Sequence, residues 1–295
     1  MLSLEGLSVG DALGQRFFRA DVEMLVSRRA LPRPPWRYTD DTVMALSIVE
    51  SLDQFGFIEP DFLAERFAAR YAQDPNRGYG PTAMEVLEQI GAGIPWAIAA
   101  GEAFRGQGSM GNGGAMRAGP IGAYFADDFG EVVENARASA VVTHAHPEGQ
   151  AGAIAVAVAT AQAWINQAAA VKGNASSIMA ASIEYTPEGP TRRNLKAAAK
   201  LPLDEAMETA VACLGNGSGV VAHDTVPLAL WCAVRHLADF ETAIWTTITA
   251  LGDIDTNCAI VGSIVVMHGG EKSIPVHWLE HREPLDLQFD RDGAL

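Results

Sequence analysis

"WRYTDDTVMALSIVESL", residues 36–52, carries two readings in one stretch. Val43, Leu46, Val49 and Leu52 recur at helical spacing, so the segment after Asp41 reads as an amphipathic helix rather than a strand. Where that helix begins stand two adjacent carboxylates, Asp40 and Asp41, flanked by Thr39 and Thr42. A helix N-terminus needs one capping residue, and Thr39 or Asp40 alone would serve. A second carboxylate adds repulsion of about 1 kcal/mol at ~4 Å in water, and several times that where solvent is excluded. Either both groups are solvated or a cation sits between them.

The same helical period continues along the chain. Phe62, Phe67 and Tyr71 follow it in "PDFLAERFAARYAQDP", and Pro81 opens a helix carrying Met84, Leu87 and Ile90. Further helices read at about 131–142, 148–168, 204–214, 225–237, 240–250 and 256–267. No alternating strand of five or more residues, fixed-period repeat or Pro/Gly-rich linker interrupts them. The expected fold is therefore all-α: one compact, orthogonal-type helical domain over residues 1–295, with loops gathered at the mouth of a cleft.

Composition narrows the partners. Apolar residues make up 48% of 295, enough for a sizeable core. Lys and Arg total 21 against 36 Asp and Glu, a net charge of −15, which argues against a nucleic-acid backbone or an anionic membrane as partner. A bound cation can still recruit a small anion locally. Cys213, Cys232 and Cys258 are odd in number, far apart and set in apolar helical text, so they read as buried free thiols suited to a reducing compartment. The opening "MLSLEGLSVGDALG" has no basic stretch followed by an apolar run, so no signal peptide is read there. The longest uncharged run, 149–171, is broken by Gln162, Asn166 and Gln167 and reads as a buried helix, not a membrane span. The expected setting is cytoplasmic.

The opening pattern has an echo. "LGDIDTNCAIVGSIVVMHGG", residues 251–270, again places two carboxylates and a threonine, Asp253, Asp255 and Thr256, at the start of an apolar helix. Together the two helix starts supply four carboxylates and the hydroxyls of Thr39 and Thr256, kept ionised by the positive ends of the helices. Hard oxygen ligands select Mg²⁺, Mn²⁺ or Ca²⁺ over Zn²⁺. Four anionic groups would neutralise two divalent cations; two ordinary helix caps are the plain alternative.

Three loops accompany these helix starts. In "GQGSMGNGGAMRAGPIGAYF", residues 106–125, five glycines between Gly106 and Gly114 precede a helical pattern. Such a loop lets backbone N–H groups approach a phosphate, although a flexible turn has the same composition. It is neither a P-loop nor a dinucleotide-binding turn, since no Gly-Lys-Ser/Thr follows and no strand precedes it. "SAVVTHAHPEG", residues 139–149, holds His144 and His146: a zinc pair without an evident third ligand, or an imidazole lining a pocket or capping a helix. "CLGNGSGVVAHDTVPLALW", residues 213–231, places a second Gly/Asn loop before a helix.

"GDALG" at 10–14, "YTDDTVMAL" at 38–46, "GSMGNGGAMRAGPIG" at 108–122, "THAHPEG" at 143–149 and "GDIDTN" at 252–257 resemble, in this order, the motifs of the ADP-ribosylglycohydrolases. That family includes the dinitrogen-reductase-activating glycohydrolase and the ADP-ribosyl-acceptor hydrolases. The resemblance implies an all-helical fold with a binuclear centre. Thr39, Asp40 and Asp41 would hold one Mg²⁺, Asp253 and Thr256 the second, and Asp255 would be shared; Mn²⁺ is the natural substitute. Asp40 or Asp41 would accept a proton from the attacking water. Gly108, Ser109, Met110, Gly111, Asn112 and Gly113 would cradle the diphosphate and adjoining ribose. His144 would contact the ligand, and Ser218 and Val220 would lie towards adenine.

The activity so implied is hydrolysis of the C1″ bond between ADP-ribose and a protein side chain, or a small conjugate. A non-catalytic ADP-ribose-binding protein on the same fold is the alternative. One position departs from the pattern. Many members carry Glu four residues after the last glycine of "GDALG", where this chain has Phe18; the next carboxylates are Asp21 and Glu23. The departure bears on the second metal.

Overall fold

The helix Ile254–Gly269 shows how the molecule is held together. From Ile254 to Met267 every residue but Asp255 is buried, the pattern of a helix enclosed on all sides. Around it pack Leu2–Gly14, Pro147–Ala168, Ala222–Arg235 and Phe240–Ile248. A computed structural model describes residues 1–18, 22–169 and 174–288. Asp21, and the side chain of Glu23, lie outside what it describes. Among the described residues there are seventeen α-helices and no sheet, so the all-α expectation holds.

The closest packing is between Leu2–Gly14 and Ile254–Gly269, and three glycines permit it. Gly6, Gly10 and Gly14 fall one turn apart on a single face. A Cβ at Gly10 would overlap the Cys258 carbonyl oxygen, and one at Gly6 would overlap that of Gly262. Gly14 rests against the Asp255 backbone, its would-be Cβ 2.9 Å from the Asp255 Cα. The two backbones therefore touch, and Asp11, one turn before Gly14, comes level with Asp255.

Apolar periodicity did not mark this first helix, and the glycines are the reason. Each costs about 1 kcal/mol of helix propensity relative to alanine, and burial against the neighbouring helix overrides it. Trp96–Gly106, Ala175–Tyr185 and Pro190–Ala198 were likewise not anticipated. The expected helices are present, as Asp40–Phe55, Pro60–Gln73, Pro81–Gly91, Phe129–Val141, Pro147–Ala168, Ala222–Arg235, Phe240–Ile248 and Ile254–Gly269. The one expected from 204 starts later, as Met207–Leu214.

One cysteine needs correction. Cys232 and Cys258 are buried thiols as expected, but Cys213 is exposed. It sits in the last turn of Met207–Leu214, whose core-facing residues are Ala210 and Leu214. Among the described residues no helix is long and apolar enough to cross a membrane.

The last described segment braces the region where the reading began. Glu283 accepts from the Tyr38 N–H at 2.9 Å and pairs with Arg77, whose carbonyl accepts from the Asp40 N–H. The Gln288 N–H reaches the buried Glu50 carboxylate at 2.8 Å.

Candidate active site

Asp11 resolves why two carboxylates open one helix. The helix Asp40–Phe55 is capped by Thr39, whose hydroxyl accepts from the Asp41 N–H, while the Thr39 and Thr42 N–H groups turn to Asp11 on another helix. The Asp11 carboxylate accepts from the Thr39 N–H at 2.9 Å and the Thr42 N–H at 3.1 Å. It also accepts from the Thr39 hydroxyl at 2.8 Å and the Thr42 hydroxyl at 2.6 Å. Capping is thus shared between Thr39 and Asp11, and the Asp40 and Asp41 side chains are left for other work.

That work is at a cluster of oxygens. Carboxylate atoms of Asp11, Asp41 and Asp255 lie within 4.8 Å of one another, a spacing that would hold a metal ion. Burial, then the Asp11 charge, pushes Asp41 well above the usual carboxylate range; burial, then Asp253, does the same to Asp255. Asp40 is raised to about 8, first by burial and then by Asp11, and burial raises Asp11 to about 6 against the pull of its hydrogen bonds. One oxygen, Asp41 Oδ1, is buried with no hydrogen-bond partner. An unpartnered carboxylate oxygen among repelling acids is a place for a cation, and an all-oxygen donor set suits a hard divalent one.

Over this floor opens a cleft of about 500 Å³. Asp40, Asp41, Asp253, Asp255 and Thr256 line its base, and all of 108–113, His144 and Val220 line its walls. Two of the expected residues lie elsewhere. Thr39 sits behind the base, its hydroxyl 2.8 Å from Asp11 and 3.1 Å from Asp41 Oδ2. Ser218 lines a separate depression, with Cys213, His223 and Asp224.

The glycine loop is fastened on both sides. Asn112 donates to Thr225 Oγ1 at 3.0 Å and to Asp253 Oδ2 at 2.7 Å. Both its amide protons are thereby used within the protein, so it braces the floor rather than offering itself to a ligand. Ala222 donates its N–H to the Met110 carbonyl at 3.0 Å, joining this loop to the one around Val220. Gly111 and Gly113 wrap the His144 ring: a Cβ on either would stand 2.9 Å from it. His146 lies outside the cleft wall and caps Pro147–Ala168, its Nδ1 accepting from the Glu148 N–H at 3.0 Å.

Phe104, Met110 and Val220 form an apolar rim. Phe104 is 58% exposed, and Phe104, Arg105 and Val220 hold left-handed φ values of 52°, 61° and 52°. Non-glycine residues adopt that conformation at a cost, which the surrounding fold must impose. Phe18 is not part of the cleft wall: it ends the Gln15–Phe17 turn half exposed, while Phe17 packs edge-on against Trp245.

Asp11, Phe104 and Arg117 are the residues that sequence reasoning missed. Asp11 did leave a signal, since a charge inside a glycine-rich apolar helix must be buried and therefore partnered. Phe104 left none, because its exposure and backbone conformation are invisible in a string of letters.

Comparison with known proteins places nearly the whole chain in a family. The family model described as ADP-ribosylglycohydrolase matches residues 3–292. ADP-ribosylhydrolase ARH3 of Xenopus tropicalis is 31% identical, covering 94% of this chain and 88% of its own. ARH3 of Homo sapiens is 32% identical over 83% of this chain and 74% of its own. Among solved structures, a chain titled "ADP-ribosylglycohydrolase-related protein complex" superposes with a TM-score of 0.69 at 26% identity, covering 95% of this chain and 90% of that one. With the match running through both carboxylate-bearing helix starts and the glycine loop, the chain belongs to the ADP-ribosylglycohydrolase family.

Proposed function

We propose that this protein is a Mg²⁺-dependent hydrolase that releases ADP-ribose from modified protein side chains by cleaving the C1″ glycosidic bond. Family membership and the ARH3 relatives support ADP-ribosyl hydrolysis. The observation that carries the metal dependence is the unpartnered Asp41 oxygen within the Asp11, Asp41 and Asp255 cluster at the base of the cleft. Asp11, Asp40, Asp41 and Asp255 would hold one cation, and Asp255, Asp253 and Thr256 a second. Bound there, divalent cations supply positive charge and order the ribose hydroxyls and a water molecule.

The chain's own groups perform the rest. Asp40 takes the proton of the attacking water, its carboxylate lying at the base of the cleft beside Gly78. Oxocarbenium character developing at C1″ is stabilised by the surrounding carboxylates. Backbone N–H groups of 108–113 face the diphosphate, and the Phe104, Met110 and Val220 rim offers apolar contact to adenine. Aspartates engaged with metal are poor acids, so the departing nitrogen or oxygen takes its proton from water, and the proton gathered by Asp40 returns to solvent in exchange.

A panel of defined ADP-ribose linkages, on arginine, serine and a small alcohol, tests this reading. Release of ADP-ribose should cease on chelation and return with Mg²⁺. Turnover persisting after complete metal removal would sink the mechanism. Tight ADP-ribose binding with no turnover on any linkage would make the protein a binding module.

A further inference from the structure

Arg117 is fully buried at the inner end of the glycine loop, and its hydrogen-bond and ring partners among the described residues carry no charge. Nη1 donates to the Gly113 carbonyl at 3.0 Å and to Met44 Sδ at 3.6 Å. Nη2 donates to the Ser139 carbonyl at 2.8 Å and to Thr143 Oγ1 at 3.0 Å, and Nε to Ser139 Oγ at 3.4 Å. Phe67 covers its face, ring centroid 4.6 Å from Cζ. A guanidinium has five N–H groups, and these contacts use them all. Although it borders the cleft, Arg117 has no donor left for a ligand. Its effect must pass through its neighbours.

The neighbour that matters is Thr143. Its hydroxyl oxygen accepts from Arg117, and its single proton faces one acceptor, His144 Nδ1, at 2.7 Å. A buried hydroxyl donates where it can, so Nδ1 is the unprotonated nitrogen and the ring proton resides on Nε2. Nε2 has no hydrogen-bond partner among the described residues, and it lies against Gly111 and Gly113 in the cleft wall. Burial and the Arg117 charge also oppose a second proton, holding the imidazole down at about 3.

We propose that Arg117 and Thr143 are positioning residues that lock His144 as its neutral Nε2–H tautomer, so that the cleft presents a permanent hydrogen-bond donor to a phosphate or ribose oxygen. On this assignment His144 donates but carries no proton through the reaction. The same guanidinium fixes the Gly113 carbonyl, so one buried side chain sets both the glycine loop and the imidazole that the loop wraps. The identity of the acceptor oxygen rests on the function proposed above; the tautomer does not.

Nitrogen-15 NMR of the histidine rings tests the tautomer with no ligand present, His144 being assigned by its absence in His144→Gln. Wild type should show Nε2 protonated and Nδ1 bare. Thr143→Val should convert the ring to a mixture of tautomers and weaken ADP-ribose binding about tenfold, the loss of one hydrogen bond. Thr143→Ser should restore both. An Nδ1–H ring in wild type, or a Thr143→Val protein with an unchanged ring, would overturn the relay. If the rings behave as expected but wild type fails to bind ADP-ribose, the relay stands and the proposed function falls. Should Thr143→Val not fold, the wild-type spectrum still decides the tautomer, and Thr143→Ala, which also lacks the hydroxyl, decides the relay.

Discussion

At the base of the cleft, five carboxylates, Asp11, Asp40, Asp41, Asp253 and Asp255, stand at or near helix ends, two of the helices registered by backbone contact and the third by the Asp11 side chain. At the rim, Phe104 stands exposed at the kink near the end of Trp96–Gly106 and Met110 and Val220 on loops, Phe104 and Val220 on left-handed backbone. The base concentrates like charge where water is scarce and depends on the whole fold to keep it there. The rim leaves apolar surface in water and depends on local geometry. On the proposed function, chemistry that needs fixed distances falls to the base, and contact with a flat apolar group falls to the rim.

The contrast can be broken most decisively at Asp255. Asp255→Ala should reduce turnover roughly a hundred- to a thousandfold, since the carboxylate serves both proposed cations. Asp253→Ala should cost less, about tenfold to a hundredfold. In chelator, Asp255→Ala should also raise the melting temperature, because one member of a repelling buried cluster is gone. Equal loss of turnover in the two variants, or a lower melting temperature in chelator, would remove Asp255 from its shared place.

Gly10→Val probes the scaffold beneath the base. The added side chain must displace the Cys258 carbonyl, and the expected destabilisation is roughly 3 kcal/mol or more, read by denaturant unfolding. A cost below about 1 kcal/mol would mean that the two helices can separate freely. The smallest effect belongs to the rim. Phe104→Ala should weaken ADP-ribose binding roughly five- to thirtyfold, the worth of one base–aromatic contact, and leave the melting temperature unchanged. Unchanged affinity by calorimetry would make Phe104 an idle surface residue.

How far the sequence discloses all this follows the same division. The helix starts at Thr39–Asp41 and Asp253–Thr256 were legible because capping chemistry and doubled charge are local patterns, written in four or five consecutive letters. The helix Leu2–Gly14 was not, since its glycines argue against a helix and only a partner some 250 residues away explains them. Asp11 went unassigned for the same reason: its partners, Thr39 and Thr42, lie 28 and 31 positions along the chain. Asn112 was placed in the diphosphate cradle by the family resemblance alone, whereas its amide is spent on Thr225 and Asp253. Exposure, backbone strain and the prior commitment of a donor are properties of the assembled molecule.

The pairing of Gly6, Gly10 and Gly14 with Ile254–Gly269 also has a consequence for a chain emerging from a ribosome. At about 5–20 residues per second, roughly 250 residues separate the synthesis of Gly10 from that of Cys258, an interval of some 12–50 seconds. During that time Asp11 can already reach Thr39 and Thr42, but the glycine face beside it has nothing to close against, and Asp255 does not yet exist. The carboxylate cluster is therefore completed only once residue 255 has been made, and the base of the cleft stays open until Ile254–Gly269 arrives to shut the first helix in place.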